Sequence, residues 1–377
     1  VRIGIIGAGI AGLVTAFGLQ RQGYNVTVYE RRCEPNVDGA GLTLFGNAFA
    51  ALDAIGLGER IRRISNNALA NLRAGQRIPD GTWLTSMPQA TIGQLHSVHR
   101  VTLHETLMHS LEPNTVQTGT DAVVAADGSP QITLGTTTET FDLVVVADGL
   151  RSHSRQRLGL DTGIQYSGYT AWRGVTSTAV DIGGAAAETW GSGQIFGFVP
   201  LPRDRLYWFG TRTQPAGMSF DDEYRAVNES FAGWHAPIPD CIAATAPQDV
   251  IRHDVYDLAK PLRTFTHGRT VLIGDAAHAM LPNLGQGAGQ GIEDAVTLAI
   301  LLSQTSPHDL ETALRRYASL RQPRTTNLWR QSRLMAKVAQ ATGPAVVRLR
   351  NVGMRLTPPQ LIGPLTQQLH RWVPPAP

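Results

Sequence analysis

The chain has 377 residues, 42% of them hydrophobic and 17% charged, which excludes a disordered polyelectrolyte and leaves room for two domains or for one with a large insertion. Its formal net charge is +3, carried almost wholly by arginine, and no run of like charges or nucleic-acid motif marks a polyanion-binding protein. Two distant cysteines, Cys33 and Cys241, match neither a disulfide framework nor a metal site, and no apolar stretch reaches the roughly 18 residues of a membrane span, so a cytoplasmic protein without a bound metal is expected.

Residues 2–6, Arg-Ile-Gly-Ile-Ile, predict a buried parallel strand. Gly7-Ala8-Gly9-Ile10-Ala11-Gly12 follows at once and opens a helix to about Gln22, with Gly23 placed to end it. A second strand, Asn25 to Tyr29, ends in Glu30. Strand, glycine fingerprint, helix, strand and acid together form a dinucleotide-binding signature in its required context. Gly7 allows the tight turn, Gly9 lets backbone approach a pyrophosphate, Gly12 permits close helix–strand packing, and Glu30 is placed to bond the ribose of an adenosine. An acid at that point argues against a 2′-phosphate and leaves FAD or NAD. Arg31 and Arg32 are either neighbours of the adenine and phosphates or ordinary surface charge.

Residues 34–47 lack periodicity and read as a loop, with Asn47 placed to cap a helix running to about Ile55; another helix spans about Gly58 to Ile64. Strand-like pieces at Ala70–Arg73 and Thr82–Ser86 suit a small antiparallel excursion. Thr102 and Glu105 form a capping box, which predicts a helix from Thr102 and leaves Arg100 just ahead of it, a position from which it could pair with a phosphate. Val116–Ala125 and Gln131–Gly135 read as strands about an Asp127-Gly128 turn. Phe141–Ala147 is another buried parallel strand, ending in Asp148-Gly149-Leu150-Arg151-Ser152 with Arg155 and Arg157 behind. An acid and a glycine thus stand again at a strand's C-terminal end, where open α/β sheets bind ligands.

From about Thr162 to Phe265 the strands become short and alternating: Tyr166–Val175, Ala186–Trp190, Gln194–Pro200 and Arg205–Arg212. Aromatic residues cluster here, which suits an inserted antiparallel sheet whose aromatics are mostly core, with some free to line an apolar pocket. A helical piece follows near Asp221–Ala232. The stretch Thr270–Asp294 then combines a buried strand, Val271-Leu272-Ile273, with a Gly274-Asp275 turn, Pro282, and glycines at 285, 287, 289 and 291; a helix starts near Gly287. Such a strand end followed by a helix N-terminus favours an electron-rich or anionic ligand. Amphipathic helices are expected over Glu293–Leu302, Asp309–Leu320 and Thr325–Ala341. Basic amphipathic pieces around Val346–Leu356 and Leu361–Trp372 are expected to pack on the protein or on a second subunit, with membrane-surface contact the alternative.

Three motifs therefore stand in one order: Gly7–Gly12 with Glu30, Asp148-Gly149 with Ser152 and Arg155, and Gly274-Asp275 with its Gly-rich loop. Over nearly the whole chain this resembles the single-component FAD-dependent aromatic hydroxylases, the class typified by para-hydroxybenzoate hydroxylase, and it is most similar to the short salicylate, 3-hydroxybenzoate and urate hydroxylase and zeaxanthin epoxidase type. The expected architecture is α/β: a Rossmann-like FAD-binding domain (1–70, 96–160 and 266–300), a substrate-binding domain with an inserted antiparallel β-sheet (71–95 and 161–265) and a C-terminal helical region (301–377). The resemblance implies that Gly7, Gly9, Ala11 and Gly12 hold the adenosine and pyrophosphate of FAD, with Glu30 on the ribose and Arg31 beside it. It implies cofactor contacts for Arg100, Asp148 and Gly149, a ribityl contact for Gly274 and Asp275, and a flavin-ring border made of Pro282, Gly285, Gln286, Gly287 and Ala288. NADPH or NADH would dock transiently and reduce the flavin, O2 would add as a C4a-hydroperoxide, and one oxygen would pass to a small aromatic or heteroaromatic substrate. Epoxidation, N-hydroxylation, or a reductase or carrier without oxygen insertion are the alternatives. A phenolic substrate would also need a base. No motif supplies one, and Tyr169, Arg173, Tyr207 and Arg212, with Pro282, are the candidates around the reaction site. His278 is expected to be structural, and the protein to be a monomer or homodimer.

Overall fold

The computed structural model describes residues 1–34, 40–306, 309–358 and 369–376. Its first sheet has six strands in the order Thr266–His267, Thr270–Leu272, Leu143–Val146, Arg2–Ile6, Asn25–Tyr29 and Val116–Gln117. All neighbours are parallel except the outermost Thr266–His267. The strands are short, β-branched and closed to water: Ile3, Ile5, Val28, Val144, Val145, Val146 and Val271 are all fully buried. That is the composition of a parallel sheet covered on both faces. The helices Ile10–Arg21 and Gly287–Ser303 pack together in this core, and a three-stranded antiparallel sheet (Ala122–Val124, Gln131–Leu134, Thr137–Thr140) brings Ile132 against Gly4. The close approach of the two helices depends on small residues. Ala11 sits between Gly274 and Gly291, where an added Cβ would lie 3.0 and 3.1 Å from its own.

The second sheet has seven strands: Ile251–Leu258, Ile164–Val175, Leu206–Thr213, Gln194–Pro200, Ala185–Trp190, Arg73–Arg77 and Trp83–Ser86. Alternation gives it two unlike faces. One carries Trp172, Phe196, Phe198 and Trp208, all buried against Val227, Phe231 and Ile242 of the helices Glu223–Phe231 and Ile238–Ala243. Phe196 and Trp208 stack at 5.4 Å, and the Trp208 indole N–H donates to Thr245 Oγ1 at 2.8 Å. The other face looks toward Leu281–Leu284: Tyr169, Ala171, Val255 and Leu281 form one small cluster.

Four expectations are corrected. Val116–Ala125 is not one strand; Val116–Gln117 extends the parallel sheet, whereas Ala122–Val124 joins the three-stranded one, and Gly119 at φ 66° turns the chain between them. Ala68–Asn71 is a 3-10 turn, and the strand that follows, Arg73–Arg77, runs parallel to Ala185–Trp190, so the excursion is part of the large sheet. The Thr102–Glu105 capping box does not form. The helix starts two residues earlier, at Arg100, because the strand His96–His99 feeds straight into it and the Arg100 N–H is taken by the Ala40 carbonyl. The two helices expected between 309 and 341 are one, Leu310–Ala339, continuous through Pro323. A further helix, Pro344–Leu356, is held by Arg350, which donates to the carbonyls of Ala339, Trp190 and Gly191. Most of the Leu361–Trp372 piece lies outside the described residues. No helix among the described residues is long and apolar enough to cross a membrane.

Candidate active site

The first strand ends in a turn that only glycine fits. Gly7 has φ 104°, and a Cβ there would lie 2.4 Å from the Ala147 carbonyl; a Cβ on Gly12 would lie 2.0 Å from the carbonyl of Gly7. Gly9 differs, because among the described residues nothing stands within 4 Å of its missing side chain and no side chain caps the helix that begins after it. The N–H groups of that first turn are therefore open to an anionic ligand. Glu30 lies beside the turn, accepting from the Ala8 N–H at 2.9 Å and the Arg32 N–H at 3.0 Å. Arg31 and Arg100 are both exposed.

At the second motif, Asp148 accepts from the Ser154 N–H at 3.1 Å through one oxygen, while its other oxygen is buried without a hydrogen-bond partner among the described residues. Gly149 has φ 82° and open space around it. Ser152, fully buried, caps the short helix His153–Arg157 by accepting from the Arg155 N–H. Arg155 is 1% exposed and donates to the carbonyls of Leu150 and Ala276, at 2.9 and 3.0 Å, and to Asp161. It ties the Asp148-Gly149 turn to the third motif.

There Gly274, at φ 56°, turns the chain into Asp275–His278, and the Asp275 side chain is exposed. The position of a Cβ on Gly287 would be 4.0 Å from the Asp275 carboxylate, so this acid and the start of the long helix border one space. Pro282 is exposed; Gly285 is left-handed at φ 63°, its α-carbon close on the Phe45 ring. Gln286 is fully buried, with its oxygen accepting from Asn47 at 3.0 Å and its amide nitrogen unpartnered among the described residues. Gly287 and Ala288 open the helix, and Ala11 packs against Gly274 and Gly291 behind it.

A buried polar network fixes this loop from the rear. Asp294 accepts from the Gly274 N–H at 2.8 Å, from His278 Nε2 and from Arg321 Nε. Glu293 accepts from Arg321, Arg324, Gln290 and Asn47. Burial alone would raise the Asp294 carboxyl, but the His278 and Arg321 charges outweigh it and hold it at about 2. Asn47 is thus not the helix cap it was expected to be; Phe45 occupies that position, and the amide of Asn47 is spent on Gln286 and Glu293. Sequence reasoning missed Glu293, Asp294 and Arg321. Their signal was a pair of adjacent acids inside an otherwise apolar helix.

On the substrate side, the register places Arg173, Phe209, Gly197 and Glu188 opposite one another on four adjacent strands, in one cross-strand row. Tyr169 and Tyr207 point to the same face two residues along their strands from Ala171 and Phe209. The Tyr169 hydroxyl donates to Asn283 Oδ1 at 2.8 Å, and Tyr207 packs over Gly41. Burial raises both phenols; the Arg173 charge acts against this at each, and Arg100 also does so at Tyr207. Arg212 does not join them. It pairs with Thr170 and falls on the opposite face with Trp208, where it lines a cleft of about 500 Å3 with Phe220, Glu229 and Ser230. Glu188 was not anticipated. It accepts from the Trp190 indole N–H at 2.9 Å, and burial raises its carboxyl while that hydrogen bond partly offsets the effect.

The three motifs fit an extended dinucleotide: an uncapped helix start for the pyrophosphate, an unpartnered oxygen on Asp148, and a free carboxylate on Asp275 for hydroxyls. Residues 1–332 match the family model described as FAD binding domain. The chain is 34% identical over 366 residues to an aurachin C monooxygenase/isomerase of Stigmatella aurantiaca, covering 93% of each chain. It is 33% identical to a 2-heptyl-3-hydroxy-4(1H)-quinolone synthase of Pseudomonas aeruginosa, covering 94% of each. Among solved structures, Klebsiella pneumoniae HpxO complexed with FAD and uric acid superposes with a TM-score of 0.86 at 26% identity, over 98% of this chain and 95% of that one.

Proposed function

From the premise that this chain belongs to the FAD-binding family of flavin-dependent monooxygenases and is an FAD-dependent oxidoreductase, we propose that it inserts one oxygen atom of O2 into a nitrogen heteroaromatic ring of the 4-quinolone type, with NADPH or NADH as reductant. The observation that carries this reading is the opposition of two surfaces. The loop after Asp275 faces a sheet face on which Arg173 and Glu188 stand at the two ends of an aromatic floor. Of the two relatives at 33–34% identity, one is named a monooxygenase and the other a 4(1H)-quinolone synthase; the first supports oxygen insertion and the second the ring class.

FAD supplies the redox and oxygen-activating chemistry, and the chain supplies binding, orientation and exclusion of water. Residues Gly7, Gly9 and Gly12 would hold the pyrophosphate at the start of the first helix, with Glu30 on the adenosine ribose and Arg31 and Arg100 within reach of the cofactor's outer edge. Asp148 and Gly149 would border its middle, and Gly274 and Asp275 its ribityl chain. The backbone of Pro282, Gly285, Gln286, Gly287 and Ala288 would border the ring, where N–H groups of a helix start favour developing negative charge. Tyr169 and Leu281 close the space between loop and sheet.

The purified protein should show a flavin absorbance spectrum, and 4-quinolones, tested beside salicylate and urate, should stimulate NAD(P)H oxidation with oxygen appearing in the product. Absence of FAD that cannot be reconstituted would sink the reading. Asp275→Ala should weaken FAD retention at least about tenfold, the scale of a lost hydrogen bond to a charged group; unchanged affinity would show that this carboxylate has another role.

A further inference from the structure

The four residues of the cross-strand row differ in chemistry in a way that a plain sheet surface would not need. Arg173 and Glu188 are three strand spacings apart, about 14 Å between backbones, and neither forms a described ion pair. Between them the Phe209 ring lies over Gly197. A Cβ on Gly197 would be 2.5 Å from Phe209 Cζ and 3.3 Å from Glu188 Cγ. The glycine thus makes room for the ring to lie toward the carboxylate. Arg173 Nε is buried with no hydrogen-bond partner among the described residues. Tyr169 points to the same face as Arg173, four residues along its strand, and its hydroxyl bonds Asn283, so the row lies on the face that meets the loop. An unpaired buried guanidinium nitrogen is costly unless something polar meets it.

We propose that this row is the substrate seat: Phe209 is the floor, Glu188 accepts a hydrogen bond from a ring N–H, and Arg173 donates to an oxygen on the far side of the same ring. The inference rests on the monooxygenase reading above and narrows its substrate to planar heteroaromatics with a donor at one end and a carbonyl or oxyanion at the other. Tyr207, one row further along, is the side wall. Trp190 is a positioning residue, since its indole fixes one oxygen of Glu188 and leaves the other for the ligand.

The test is calorimetric binding to the FAD-loaded protein, with 4(1H)-quinolone and 1-methyl-4-quinolone as paired probes. The native chain should prefer the N–H ring at least about tenfold. Glu188→Leu should erase that preference while leaving the N-methyl ring's affinity within about twofold. Glu188→Gln, whose amide oxygen still accepts without charge, should retain part of it. Arg173→Met should weaken both probes alike. Gly197→Ala should displace Phe209 and weaken both, with FAD still bound. The preference should also fade on acidification, starting above the usual carboxylate range, because burial raises the Glu188 carboxyl. A native chain that shows no preference, or a Leu variant that keeps it, overturns the proposal. Failure to hold FAD would instead count against the monooxygenase reading, and absorbance measured before each titration separates the two.

Discussion

The two faces of the seven-stranded sheet come from the same strands and differ by a single step of alternation. On the back, Trp172, Phe196, Phe198 and Trp208 are sealed under two short helices, and their polar atoms are satisfied: the Trp172 indole by Glu223, the Trp208 indole by Thr245. On the front, Tyr169, Arg173, Glu188 and Tyr207 surround an aromatic floor, and Arg173 keeps a nitrogen unpaired among the described residues. A cluster of aromatics in sequence therefore marks a core more than a pocket. What distinguishes the working face is charge with no ion pair among the described residues, whereas Arg252 on the back is paired with Asp254.

The largest test of that division is Trp208→Ala. Removing a fully buried, stacked indole should cost about 3–5 kcal/mol of stability, read from denaturant midpoints, while the folded fraction keeps its FAD and probe affinities. A change in probe affinity without a loss of stability would join the two faces. A smaller effect is expected from pH on the front side alone. His370 packs against Phe45 with ring centroids 4.2 Å apart and planes tilted by 33°, beside Gly285. Burial first, and then the Arg324 charge, lower its pKa to about 4. Because the folded value is depressed, the stabilisation is full above the ordinary histidine pKa of about 6.5 and is lost as pH falls toward 4. Thermal midpoints should decline through that window in the native chain and flatten in His370→Phe; an unchanged slope would remove His370 from the account. The smallest effect belongs to Arg212→Ala, which should stay within about 0.5 kcal/mol of the native chain and leave KM for any front-face ligand unmoved. A raised KM would return Arg212 to the substrate side.

Most of the nucleotide scaffold was legible in the sequence because its constraints are local. Gly7 and Gly12 are demanded by backbone clashes within a few residues of themselves or with the neighbouring strand, and Glu30 follows from the end of the next strand. The C-terminal helix boundary at Pro323 was misread because an interior proline usually breaks a helix, and here the packing of Arg321 and Thr325 on either side overrides it. The Thr102 capping box was overridden by a strand pairing formed with Gly41–Leu44, about sixty residues upstream. The front face was the least legible. Glu188, Gly197 and Phe209 meet only through register across strands, and which of two alternating sets faces the loop cannot be read from any one strand alone. Arg212 was placed on the wrong side for that reason.

The rear network also sets an order of assembly. By residue 303 a growing chain contains every residue of the three motifs. Yet Gly274 is held by Asp294, and Asp294 and Glu293 are neutralised by Arg321 and Arg324, which come later in the chain. Until those arginines arrive, closing the loop would bury Glu293 without a cation and leave Asp294 with His278 alone, at a cost of several kcal/mol. A chain stopped short of residue 321 would carry all three motifs and lack the arginines that hold the last of them in place.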